Sequence, residues 1–113
     1  MTARRDLTVY RGDTYSHVVT VVDDLAAAVD LSDRAWVAEV RAYADAADVL
    51  VSFTVDDSDA ATGVLVLSLT AAQTATTLSR DGVWDLQGTF TADGAVETLL
   101  AGSVSLTKDK TRP

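Results

Sequence analysis

The chain has 113 residues, room for one domain with a single core, and 48% of them are hydrophobic, so it can fold rather than remain disordered. It has no cysteine, which excludes disulfides, thiolate zinc sites and cysteine nucleophiles. A net charge of −8 disfavours nucleic acid and anionic membranes, both of which repel an acidic surface.

Period-two alternation dominates the chain and marks strands. Met1 to Arg5 ends in two arginines with no apolar run after them to make a signal peptide, and is read as a flexible arm. Leu7 and Val9 alternate with Thr8 and Tyr10, and Gly12-Asp13 turns the chain. Segment 14–22 holds Val18, Val19, Val21 and Val22; with both faces apolar it is read as a central strand. Residues 23–34 form a connection that allows a small edge strand at Val29 to Leu31. In 35–43, Trp36, Ala38, Val40 and Ala42 share one face and Glu39, Arg41 and Tyr43 the other. The alanines of 38–47 also suit a helix, but the first half is read as strand.

Segment 49–56 alternates Val49, Val51, Phe53 and Val55 inward with Ser52, Thr54 and Asp56 outward. A polar turn ends at Gly63, and Leu65, Leu67 and Leu69 then line one face. Thr70 followed by Gln73 spells a capping box, which predicts a short helical crossover over about 70–78. Segment 83–92 puts Trp84, Leu86 and Phe90 inward, with Gly88 among them as a bulge or a close approach. Asp93-Gly94 is a hairpin signal, and segment 95–107 returns with Val96, Thr98, Leu100, Gly102, Val104 and Leu106 on one face. Lys108 to Pro113 is charged and read as a second flexible arm. About seven strands at this spacing predict an all-β, immunoglobulin-like two-sheet sandwich spanning 1–113.

Chemistry-bearing patterns are sparse. The only histidine, His17, lies within a strand, with no nucleophile elbow elsewhere in the sequence. Asp56, Asp57 and Asp59 share a turn, as do Asp23 and Asp24, but the calcium-loop spacing is absent, so these are read as solvated turn carboxylates. No glycine-rich phosphate loop is present. Arg11-Gly12-Asp13 spells an adhesion tripeptide that is read as a turn. The expectation is a protein without catalytic residues, metal or cofactor. Candidate partner contacts are Arg4, Arg5, Tyr10, Tyr43, Lys108, Lys110 and Arg112.

Several phrases recur in one order: Asp6 to Tyr15 (DLTVYRGDTY), Val29 to Leu31, Trp36 to Arg41, Gly63 to Thr70, Gly82 to Gln87, Glu97 to Gly102 and Lys108 to Arg112. Together they resemble small β-sandwich virion proteins of tailed bacteriophages, including minor tail proteins of actinobacteriophages. They are also similar to the N-terminal domain of baseplate upper proteins. The usual loop with Gly and Pro is replaced here by Asp24 to Leu31, which contains neither. The resemblance implies a virion structural subunit at the tail tip or baseplate, present in multiple copies and packed against other virion proteins. A capsid decoration protein and a carbohydrate-binding module for a host glycan are the alternatives. Deleting either arm is expected to leave the fold intact.

Overall fold

A computed structural model describes residues 3–44, 46–77 and 80–107. Its strands are β1 (Ala3–Arg4), β2 (Leu7–Tyr10), β3 (Tyr15–Thr20), β4 (Arg34–Arg41), β5 (Val51–Ser52), β6 (Thr54–Asp56), β7 (Val64–Leu69), β8 (Gly82–Phe90) and β9 (Val96–Thr107). They form two sheets. The larger runs β1-β9-β8-β4-β5, with β2 also on β9; the smaller runs β3-β7-β6. β1 and β2 pair with β9 in parallel, and every other pairing is antiparallel.

The alternation explains the core. Leu65, Leu67 and Leu69 of β7 face Ala38, Val40, Trp84 and Leu86 of the larger sheet, and all are at most 2% exposed. Each buried indole needs a partner for its N–H. Trp36 Nε1 donates to the Leu31 carbonyl at 3.0 Å, and Trp84 Nε1 donates to the Arg5 carbonyl at 2.7 Å. Phe53 packs edge-on against Trp84, with ring centroids 5.9 Å apart. The capping box forms reciprocally: the Gln73 N–H donates to Thr70 Oγ1, and the Thr70 N–H donates to Gln73 Oε1. The helical crossover follows, and Gln73–Thr77 winds as a π-helix. Leu78 and Ser79, at the end of the predicted crossover, lie outside the described residues.

Five expectations are corrected. β3 is an edge strand, with Ser16, Val18 and Thr20 exposed and only Val19 buried. Segment 49–56 is two strands in different sheets, because the chain crosses the sandwich at Phe53 and keeps its phase while doing so. Val49, at the start of that run, is exposed rather than inward. The alternation of 95–107 is broken: the register against β8 shifts between Leu86 and Gln87, so Leu100 opposes Leu86 but Thr98 opposes Gln87. Leu99 is the extra residue of this bulge. On the N-terminal side of it the faces are exchanged, which leaves Val96 61% exposed and turns Glu97 toward Arg34 at 2.7 Å. Finally, residues 3–5 are not an arm. Ala3 and Arg4 pair with Leu100 and Ala101, and the Arg5 N–H donates to the Ala101 carbonyl. In the connection between β3 and β4, Ala26 takes a left-handed backbone with φ 63°.

Gly88 is a close approach. It sits opposite Trp36, and a Cβ there would lie 2.8 Å from Cζ3 and 2.9 Å from Cη2 of that ring. The ring cannot swing away freely, because its N–H is tied to Leu31 and Arg34 lies over it at 5.4 Å from the centroid. Gly88→Ala is expected to destabilise the domain by about 2 kcal/mol through overpacking. Urea unfolding will measure this, and Trp36→Phe in the same chain should recover part of the loss.

Candidate binding surface

The outer face of the larger sheet carries its most organised polar group. Cross-strand register places Glu39 of β4 opposite Asp85 of β8, Asp85 opposite Ala101 of β9, and Ala101 opposite Arg4 of β1. The next row is Arg41, Val83 and Ser103. Because Ala101 and Gly102 are small, these rows enclose a shallow hollow of about 360 Å³, walled by Arg4, Glu39, Arg41 and Asp85. Farther along the same face, Val37 opposes Gln87, and Thr89 lies between Ala35 and Val96. Val37 and Val96 are 52% and 61% exposed, so this half is uncharged and sets two exposed valines among Gln87 and Thr89.

The charges in the hollow are unevenly matched. Arg41 Nη2 pairs with Glu39 Oε1 at 2.9 Å, and Arg4 Nη2 with Asp6 Oδ1 at 3.1 Å. Asp85 has no cation at ion-pair distance among the described residues and accepts only a long hydrogen bond from Gln87 Nε2 at 3.4 Å. Burial raises its pKa; Arg41 opposes the rise and Glu39, directly opposite, adds to it. A raised folded-state pKa means that the charged form weakens the fold above the ordinary aspartate range. Asp85→Asn is therefore expected to raise the melting temperature at pH 7 and to have little effect near pH 3, where Asp85 is already neutral. Asp6, Asp30 and Asp56 have the opposite sign. Backbone N–H donors hold Asp6 and Asp56 low, and the Ser32 hydroxyl and N–H hold Asp30 low. Their stabilisation is present at neutral pH and is lost as pH falls through their depressed values.

The other aspartates mostly serve the backbone. Asp23 accepts from the N–H groups of Leu25 and Ala27, Asp56 from Ser58, Asp93 from Ala95 and Asp81 from Leu106. Among the described residues no three His, Cys, Asp or Glu side chains gather where they could hold a metal. His17 makes no side-chain hydrogen bond there, and burial and then Arg5 lower its pKa. The Arg11-Gly12-Asp13 turn is closed by the Asp13 N–H donating to the Tyr10 carbonyl. It is fastened to the helical crossover by fully buried Thr74, whose hydroxyl accepts from Gly12 and donates to the Asp13 carbonyl. Arg11 Nε donates to the Ala75 carbonyl, so this tripeptide is tied into the fold.

Of the contact residues expected from sequence, Arg4 stands at the rim of the hollow. Arg5 has its main chain in β9 and Trp84 contacts and its side chain exposed. Tyr10 and Tyr43 are 52% and 64% exposed on different elements, the first ending β2 and the second following β4. Lys108, Lys110 and Arg112 lie outside the described residues. Glu39, Arg41 and Asp85 were not among the expected contacts. Alternation put them outward, but only the pairing of β4, β8 and β9 brings them together.

No family model matches the chain, and no curated protein matches it. Solved structures do. The N-terminal Ig1-2 module of the Drosophila receptor protein tyrosine phosphatase DLAR superposes with a TM-score of 0.53 at 12% identity, covering 96% of this chain and 48% of that one. Sidekick-1 immunoglobulin domains 1–4 give 0.53 at 16% identity, covering 100% and 25%. A chain of the complex of ICOS with ICOS-L and an anti-ICOS-L VNAR domain gives 0.55 at 11%, covering 96% and 56%. This chain thus spans between a quarter and just over half of those chains. At such identities the likeness shows the fold: an all-β, immunoglobulin-like sandwich of two sheets. No helix among the described residues is long and apolar enough to cross a membrane.

Proposed function

We propose that the domain is a non-catalytic structural module that assembles with other proteins through its sheets. In our reading it is a virion subunit of a tailed bacteriophage, at the tail tip or baseplate. The observation that supports assembly most directly is the outer face of the larger sheet. It runs from exposed Val37 and Val96 to the hollow at Asp85, which Ala44 of the β4–β5 connection also lines. A β-sheet face of mixed apolar and polar residues fits a protein partner better than a small substrate. The phage assignment rests on the ordered sequence phrases from Asp6 to Arg112.

Cryo-EM of assembled particles tests this reading. Density for the domain in several copies at the tail tip is expected; its absence from purified virions would overturn it. Density on the capsid surface would select the decoration protein instead. The carbohydrate-binding alternative is weakened because Trp36 and Trp84 are 9% and 2% exposed, and because Tyr10 and Tyr43 sit on different elements. Glycan-array binding that is lost in Tyr43→Ala would favour it.

A further inference from the structure

The strand edges of this sandwich are not equally protected. Natural edge strands avoid unwanted pairing by being short or by carrying charge, proline or a bulge. β5 and β6 are two and three residues long. The β1–β2 edge is interrupted and carries Arg4, Arg5, Asp6 and Arg11. β3 is different: six residues, regular in its pairing with β7, with no Lys, Arg, Asp, Glu or Pro between Asp13 and Asp23. His17 is its one titratable side chain besides Tyr15.

The register fixes which backbone groups are open. Val21 donates to the Gly63 carbonyl, so Val19, His17 and Tyr15 also turn their amide and carbonyl groups toward β7. The groups of Ser16, Val18 and Thr20 therefore point away from it, and no strand of the described chain pairs with them. On the outer face, Val18 is 57% exposed and sits opposite half-buried Val66, with Val64 opposite Thr20, so an apolar strip runs to the edge. The strand is bracketed by exposed carboxylates, Asp13 before it and Asp23 with Asp24 after it. Two of these three carboxylates, Asp23 and Asp24, stand together after the C-terminal end of β3, so the negative charge is denser at that end.

We propose that the β3 edge accepts an extended segment of a partner protein by antiparallel strand addition. The segment is uncharged over its centre and carries Lys or Arg at its N-terminal end, where it passes Asp23 and Asp24. Main-chain bonds to Ser16, Val18 and Thr20 supply the pairing, the strip of Val18, Val64 and Val66 extends under the added side chains, and the carboxylates set direction. A second copy of this chain would bring another −8 of charge to the same place, which is why a cationic segment is favoured over self-pairing. The inference deepens the assembly reading and rests on it, but it assigns a separate surface and can fail alone.

The test uses the whole chain and a synthetic ten-residue peptide, acetylated and amidated, with two N-terminal lysines followed by alternating threonine and valine. Bound peptide should slow hydrogen exchange at the Ser16, Val18 and Thr20 amides by roughly tenfold or more and leave the already paired His17 and Val19 little changed. Val18→Pro removes an outward N–H without touching the β7 ladder and should abolish this protection. Val18→Lys should do so by repulsion. Asp24→Asn, added salt, or a peptide with glutamates in place of the lysines should each weaken binding several-fold. The proposal is overturned if the three amides stay unprotected at peptide saturation, or if both Val18 variants bind as the wild type does. It is equally overturned if the same amides become protected without peptide as protein concentration rises, which would assign the edge to a second copy. A negative result here removes the edge and leaves particle localisation to judge the assembly reading.

Discussion

Removing residues 1–5 is expected to destabilise the domain by about 3 kcal/mol or more, although this segment looks like a dispensable arm in the sequence. Arg5 supplies the reason. Its carbonyl is the acceptor for Trp84 Nε1 at 2.7 Å, and Trp84 is 2% exposed. Truncation leaves a buried indole N–H without its partner, which by itself costs about 1–3 kcal/mol. It also removes the bond from the Arg5 N–H to the Ala101 carbonyl and the β1 pairing, and uncovers β9 at Gly102. Equilibrium urea unfolding, followed by tryptophan fluorescence, measures the loss directly. A change below about 1 kcal/mol would mean that water replaces Arg5 without penalty. The result bears on function as well, because a truncated chain that fails to enter a particle will have failed through its fold before any lost contact can be assigned.

The sequence made the strands legible wherever one face of a sheet is buried. Leu65, Leu67 and Leu69 alternate because β7 is the middle strand of its sheet and covers the core. The Thr70–Gln73 capping box was legible because its reciprocal hydrogen bonds are local in sequence. What could not be read depends on partners remote in the chain. Val18 and Val22 imitate a strand buried on both faces, yet both are more than half exposed, since a β-branched residue favours the strand whichever way it points. The bulge at Leu99 hides within Thr98-Leu99-Leu100, where an apolar residue on either face satisfies the pattern. The crossing at Phe53 leaves no mark at all, because that side chain faces the core from both sheets. The charged hollow shares this limit. Glu39 and Asp85 are 46 positions apart, and two like charges would not be placed opposite each other by any local preference. One clue to β1 was available: β9 is 12 residues long and β8 only 9, so β9 has more edge than its hairpin partner uses.

Gly102→Ala should cost about 2–4 kcal/mol, a large effect for adding one methyl group. Gly102 lies opposite Trp84 on β9, and a Cβ there would run into the Arg5 carbonyl carbon and oxygen, with Asp6 Oδ1 at 3.0 Å behind them. The obstacle is backbone held from two sides, by Trp84 through the Arg5 carbonyl and by Ser103, whose N–H donates to Asp6 at 3.0 Å. It cannot give way as the end of a flexible side chain can. The β1–β2 connection must lift from β9, and the Trp84 hydrogen bond lengthens with it. A clash with Arg5 can be told apart from a general intolerance of β9 to substitution. In the chain lacking residues 1–5 the Arg5 carbonyl is gone, so Gly102→Ala should there cost under about 1 kcal/mol, and the two changes should be far from additive. Full additivity in urea unfolding would show that the methyl group meets something other than Arg5, and that the N-terminal strand is not what holds Trp84 in place.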